Sequence, residues 1–183
     1  MKFSNISNEP ESSVKGESNI LIAYFSWSGN VQQMARWIAE ETGGDIFRIV
    51  PEKSYGEEFN SCADRAKNEL DNGIRPAISE HIEKEKMEKY DVIYIGFPVW
   101  WYDLPMSVWT FLEEYDLSGK TIIPFFSHNG SSNGAGSLDT ISRLAPNSEI
   151  LSDDAISVRG NKVADSENEI KEWTQKFAIN KGE

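Results

Sequence analysis

Three clusters of residues in this chain have the types and spacing to hold a ligand, and each follows an apolar run. The first is Ser26-Trp27-Ser28-Gly29-Asn30-Val31, rich in hydroxyl and amide groups and free of Lys and Arg. Where such a loop opens a helix, backbone N–H groups and the equivalent of roughly half a positive charge face outward. Neutral donors of that kind suit an anion bound intact over a phosphoryl group in transfer. Ser28 or Asn30 as a plain helix cap is the alternative use. The second cluster is Pro98-Val99-Trp100-Trp101-Tyr102, whose aromatic rings can stack on a planar ligand or fill the core. The third runs from Ser127, His128, Asn129 and Gly130 to Gly134, and its Asn129-Gly130 and Asn133-Gly134 pairs signal turns that present backbone groups to a polar ring edge. His128 can cap that loop or touch the ligand.

Other chemistries fail on residues. No G-x-x-x-x-G-K-[ST] run occurs, and Gly134-x-Gly136 carries Asp139 where a dinucleotide-binding fingerprint needs its third Gly. Tyr24, Phe25 and Ser26 supply no carboxylate for a phosphoacceptor site, and Cys62 lacks the Cys-x5-Arg setting of a phosphatase nucleophile. As the lone cysteine, Cys62 rules out an internal disulfide; its helical spacing with Phe59, Ala63, Ala66 and Leu70 marks a small core residue. The net charge of −12 opposes binding to nucleic acid and fits solubility or docking to a basic partner. With no apolar stretch long enough for a membrane span or a leader, the expectation is a cytoplasmic protein.

Elements that position the clusters follow from periodicity. Residues 20–25, 91–99 and 121–127 are short apolar runs suited to strands buried on both faces, and residues 45–51 suggest another. Val31, Met34, Ala35, Ile38 and Ala39 keep helical spacing up to the stop at Thr42-Gly43-Gly44. Helices are also predicted over 55–72, from about 108 to 115, over 137–144 and around Ile170, Trp173 and Phe177, with a weaker strand between 150 and 158. The charge run 80–89 reads as a solvated face or short helix. Alternation of strand and helix predicts an α/β fold: one doubly wound parallel sheet of about five strands with helices on both faces. Residues 1–18 are polar and aperiodic, an expected tail before a single domain of 19–183. Ligands in such sheets bind beyond the carboxyl ends of the strands, where all three clusters fall.

YFSWSGNV (24–31), GFPVWW (96–101), DLSGKTIIPF (116–125) and SHNGSSNGAGS (127–137) together resemble the flavodoxin family, in particular members whose second flavin loop reads Pro-x-Trp-Trp. The resemblance covers roughly residues 19–179 and implies a flavodoxin-like strand order of 2-1-3-4-5. It implies FMN as cofactor, with its phosphate on Ser26, Trp27, Ser28, Gly29, Asn30 and Val31. The isoalloxazine would lie between Pro98, Val99, Trp100, Trp101 and Tyr102 on one side and Ser127, His128, Asn129, Gly130 and Gly134 on the other. The implied role is electron transfer between redox partner proteins, a reductase and an acceptor. An FMN-dependent NAD(P)H:quinone-type oxidoreductase and a cofactor-free interaction domain are the alternatives. Asp103, Glu113, Glu114 and Asp116 are expected to add negative charge near the second loop.

Two departures from the family pattern carry expectations. Val31 stands where the family usually has Thr, which removes one hydroxyl donor, so a Val31→Thr variant should bind FMN tighter by about 1 kcal/mol in a fluorescence titration. Tyr102 stands where simple flavodoxins often have a Gly that changes conformation on reduction, and a non-Gly residue makes positive φ more costly. The expectation is weaker stabilisation of the one-electron-reduced cofactor.

Overall fold

Ile20-Leu21-Ile22-Ala23-Tyr24 offers an apolar side chain to both faces of any strand it forms, so it is stable only between two layers. As strand β1 (Ile20–Tyr24) it sends Leu21 and Ala23 into one hydrophobic cluster and Ile22 and Tyr24 into another. The computed structural model describes residues 12–14, 18–130 and 132–179. After β1 come helix α1 (Asn30–Thr42), β2 (Asp45–Arg48), α2 (Phe59–Asp71), α3 (Lys84–Met87), β3 (Val92–Pro98), α4 (Met106–Glu114), β4 (Thr121–His128) and α5 (Ala135–Leu144). The short strands β5 (Glu149–Ile150) and β6 (Ile156–Arg159), a 3₁₀ turn over Gly160–Asp165 and α6 (Glu167–Ile179) follow. α1 and α6 cover the face that holds Ile22 and Tyr24, whereas α2, α4 and α5 cover the other.

The sheet order is β2-β1-β3-β4-β5 with every pairing parallel, so the strand ends that carry the three clusters share one edge. The fifth position is filled by two pieces, because β6 also pairs with β4. Pro124 explains the break. Ile122 O accepts from Leu151 N, so Ile122 faces the fifth strand, and Pro124, two residues on, faces the same way without an N–H to donate. Pairing lapses there and resumes at Phe125↔Ile156.

One helix differs from expectation. The helix predicted from residue 55 begins at Phe59, because Gly56 has φ 74° and a right-handed helix cannot pass through it. Glu58 caps the helix instead, accepting from Asn60 N and Ser61 N at 2.9 and 2.6 Å. Of the expected tail, Ser13 N donates to Ile46 O and Ser12 Oγ accepts from Arg48 N, which lays this piece along the β2 edge. Residues 1–11 and 15–17 lie outside the described residues. Among the described residues no helix is long and apolar enough to cross a membrane.

Candidate functional site

The loops after β1, β3 and β4 enclose a cavity of about 550 Å3. Phe25 leads straight from β1 into the first loop, where Ser26 Oγ accepts from Gly29 N at 3.2 Å and Gly29 turns at φ 96°. Only a residue at ease with positive φ can make that turn and aim the next N–H groups outward. α1 then begins with no side-chain cap and no acidic residue in its first turn. The capping role open to Ser28 and Asn30 is therefore not taken; both line the cavity with Ser26, Trp27 and Val31. Trp27 is held from outside, its Nε1 donating to Gly56 O at 2.8 Å.

In the second loop Trp100 N donates to Asp103 O and Asp103 N to Trp100 O, both at 3.0 Å. That closes a two-residue turn with Trp101 at φ 50° and Tyr102 at φ 64°. Such turns belong to Asn-Gly, and each left-handed non-Gly residue costs roughly 1–2 kcal/mol. Trp101 is anchored through its Nε1, which donates to Ala63 O at 3.0 Å, while Trp100 packs edge-on against Phe25 at 5.1 Å. Trp100 is thus both core residue and cavity wall, which resolves its two readings together. Tyr102 is 64% exposed. Its positive φ, expected to be hard to reach, is already adopted. A Tyr102→Gly variant should raise the unfolding free energy by about 1 kcal/mol in a denaturant titration, because strain is relieved and little packing is lost.

The third loop folds on itself. Gly130 N donates to His128 Nδ1 at 2.9 Å, Gly134 N to Ser132 Oγ at 3.1 Å and Ala135 N to Asn133 Oδ1 at 3.1 Å. His128 therefore caps the loop and also lines the cavity, beside Ser127 and Asn129. Pro98, Val99, Trp101 and Tyr102 complete the expected walls. Gly29, Gly130 and Gly134 do not line the cavity: they bend the loops that do, with φ of 96°, 96° and 78°.

Seven of the lining residues were not foreseen as site residues from the sequence. Phe59, Cys62, Ala63 and Ala66 of α2 line it, where Ala63 O accepts from Trp101, as do Ser132 of the third loop and Gly160 and Asn161 after β6. A face of small residues at Cys62, Ala63 and Ala66 was the available signal, and it reads equally as core. Gly160-Asn161 directly follows a strand end on the ligand-binding edge, which is itself a pointer. Burial pushes the Cys62 thiol up to about 11, so it stays neutral.

The expected carboxylates are elsewhere. Asp103 Oδ1 accepts from Leu104 N, Glu113 takes both Arg75 Nε and Nη2 at 2.8 and 2.9 Å, Glu114 meets His81, and Asp116 accepts from Ser118 N. The Arg75 guanidinium holds Glu113 below the usual carboxylate range. These pairings draw the acids toward cations and backbone and away from the cavity, and no Asp, Glu, Lys or Arg is among the described residues that line it. Among the described residues the lining is donor-rich at the α1 end and aromatic at the other, with His128 its one imidazole.

A flavodoxin family profile matches residues 19–177. A protein of Bacteroides eggerthii assigned as a flavoprotein shares 32% identity, with a TM-score of 0.70 over 87% of this chain and 97% of its own. A second, from Bacteroides uniformis, shares 31% with a TM-score of 0.71 over 85% and 97%. A flavoprotein of Lactobacillus acidophilus, solved in complex with FMN, shares 24% with a TM-score of 0.61 over 81% and 97%. No curated protein matches.

Proposed function

The chain belongs to the flavodoxin family, whose flavin is FMN, and we propose that it is an electron carrier that exchanges electrons with partner proteins through an exposed flavin edge. The observation that carries the reading is the polarity of the cavity: neutral donors and an uncapped helix N-terminus at one end, Trp100, Trp101 and Tyr102 at the other. About 550 Å3 lies within the usual span for cofactor pockets.

The residues fit the group. Backbone N–H groups of the loop from Ser26 to Val31, with Ser28 and Asn30 side chains, would hold the phosphate against the positive end of α1. Trp100 and Tyr102 would face the ring system, and Asn129 its polar edge. FMN supplies reversible uptake of one or two electrons. The protein would bind and orient the ring and keep water from part of it. Its acidic surface suits a basic redox partner, and its lone cysteine suits the cytoplasm. The working unit is residues 19–183, which the matched span nearly fills.

The visible spectrum of the purified protein, followed by anaerobic reduction, tests the reading. A flavin spectrum and negligible NAD(P)H consumption with a quinone support a carrier; sustained consumption without any added reductase supports the oxidoreductase. A colourless protein that fails to take up FMN removes both.

A further inference from the structure

Tyr55 packs where helical spacing does not place it. It sits between β2 and α2, only 7% exposed, and does not line the cavity. Its ring meets Phe25 edge-on at 5.9 Å and Trp100 at 5.1 Å, and those two rings meet each other at 5.1 Å. Phe25 immediately precedes the first loop, and Trp100 belongs to the second. Tyr55 is the third member of a ring cluster whose other two members each lead into a different end of the site.

What holds Tyr55 is charged and mostly removed from water. Its hydroxyl donates to Glu69 Oε2 at 2.5 Å, and Glu69 Oε1 accepts from Arg65 Nε at 2.7 Å. Glu69 is 4% exposed. Arg65 lays its guanidinium carbon 3.9 Å from the Tyr55 ring centroid and donates from Nη1 to Lys53 O and Ser54 O, both at 2.8 Å. Gly56 O, one residue past Tyr55, accepts from Trp27 of the first loop. Removing a carboxylate from water costs several kcal/mol, which an ion pair recovers only with good geometry. An apolar trio of similar volume would pack here without that cost. In some proteins a buried pair of this kind is retained because it selects one arrangement among several.

We propose that Tyr55, locked by Glu69 and Arg65, is a positioning residue that sets the spacing between the phosphate-holding loop and the aromatic loop. It thereby makes the site specific for a flavin with a phosphate tail over one that occupies the ring end alone. The inference rests on the FMN reading. A ligand gripped at both ends gains because its second contact is intramolecular, and that gain vanishes when the two grips are wrongly spaced. Riboflavin, gripped at one end, does not depend on the spacing.

The test is a pair of fluorescence titrations, FMN and riboflavin, on the full chain and on Tyr55→Phe, which keeps the ring and loses the hydroxyl. The expected result is FMN affinity lowered about fivefold, the worth of one hydrogen bond, and riboflavin affinity within about twofold of wild type. The visible circular dichroism of bound FMN should change as well. Glu69→Gln, which keeps a group at the tyrosine hydroxyl but removes the charge facing Arg65, is expected to show the same pattern and serves if Tyr55→Phe fails to fold. Equal losses for both flavins, or no loss for either with an unchanged spectrum, overturn the proposal and leave the FMN reading standing. A wild-type chain that binds neither flavin overturns both.

Discussion

An Asn30→Asp variant is expected to bind FMN about a hundredfold more weakly while its ligand-free form becomes slightly more stable. Asn30 opens α1, lines the cavity and is matched in shape by aspartate, so packing is unchanged and only a charge is added. A carboxylate about 4 Å from a phosphate, at the effective dielectric of a protein surface, is disfavoured by roughly 3 to 4 kcal/mol. Solvent near this partly open site reduces that toward about 3 kcal/mol, or roughly a hundredfold in affinity. Without ligand the same charge sits at the positive end of a helix whose first turn has no acid, which adds about 0.5 kcal/mol. Titration with FMN and denaturant unfolding of the apoprotein should move in opposite directions, whereas general damage would lower both. Riboflavin affinity should hold. An FMN affinity within fivefold of wild type would place the phosphate elsewhere.

Gly136→Ala is expected to destabilise the protein by about 2 kcal/mol, against the sign that helix propensity alone dictates. Ala is favoured over Gly in a helix by about 1 kcal/mol, and Gly136 is the second residue of α5. A Cβ at that position, however, would stand 2.3 Å from Tyr102 O. Tyr102 O belongs to a backbone closed by two hydrogen bonds between Trp100 and Asp103, so it cannot swing away as a side chain would. Either α5 or the turn must shift, and overpacking of this kind typically costs 1–3 kcal/mol. Because the turn carries Trp100 and Trp101, flavin affinity should fall with stability. Denaturant unfolding decides the matter: a variant as stable as wild type would mean that α5 does not press on the second loop.

Much of the scaffold was legible because it rests on local period and burial. The strands at 20–24, 92–98 and 121–128 are apolar on both faces, and only a sheet between two helical layers buries both. Boundaries were lost where a single residue overrode the pattern. Spacing from Tyr55 through Phe59, Cys62 and Ala66 is helical, but Gly56 interrupts it, and Glu58 is not among the residues usually expected to cap. Pro124 divided the fifth strand through a missing N–H on a neighbouring strand, a signal displaced by more than twenty residues from its effect. Nothing local announces positive φ at Trp101 and Tyr102. Two bulky residues occupy a turn suited to Asn-Gly because Ala63 O on α2 and the rings of Phe25 and Tyr55 hold it in place.

The chain's own order of residues determined the donor-rich loop from Ser26 to Val31, the aromatic loop at Trp100 and Trp101, the turn-rich loop from Ser127, and the sheet that brings them to one edge. Each is encoded within a few residues, since strand period, helix period and turn chemistry are properties of neighbours along the chain. Tertiary structure alone decided that α2 supplies a further wall, that the acids near the second loop face away, and that Tyr55 joins the first loop to the second. Those outcomes depend on how helices dock on the sheet. Docking is settled by complementary surfaces such as the small face of Cys62, Ala63 and Ala66 opposite Trp101, and by the Tyr55, Glu69 and Arg65 lock.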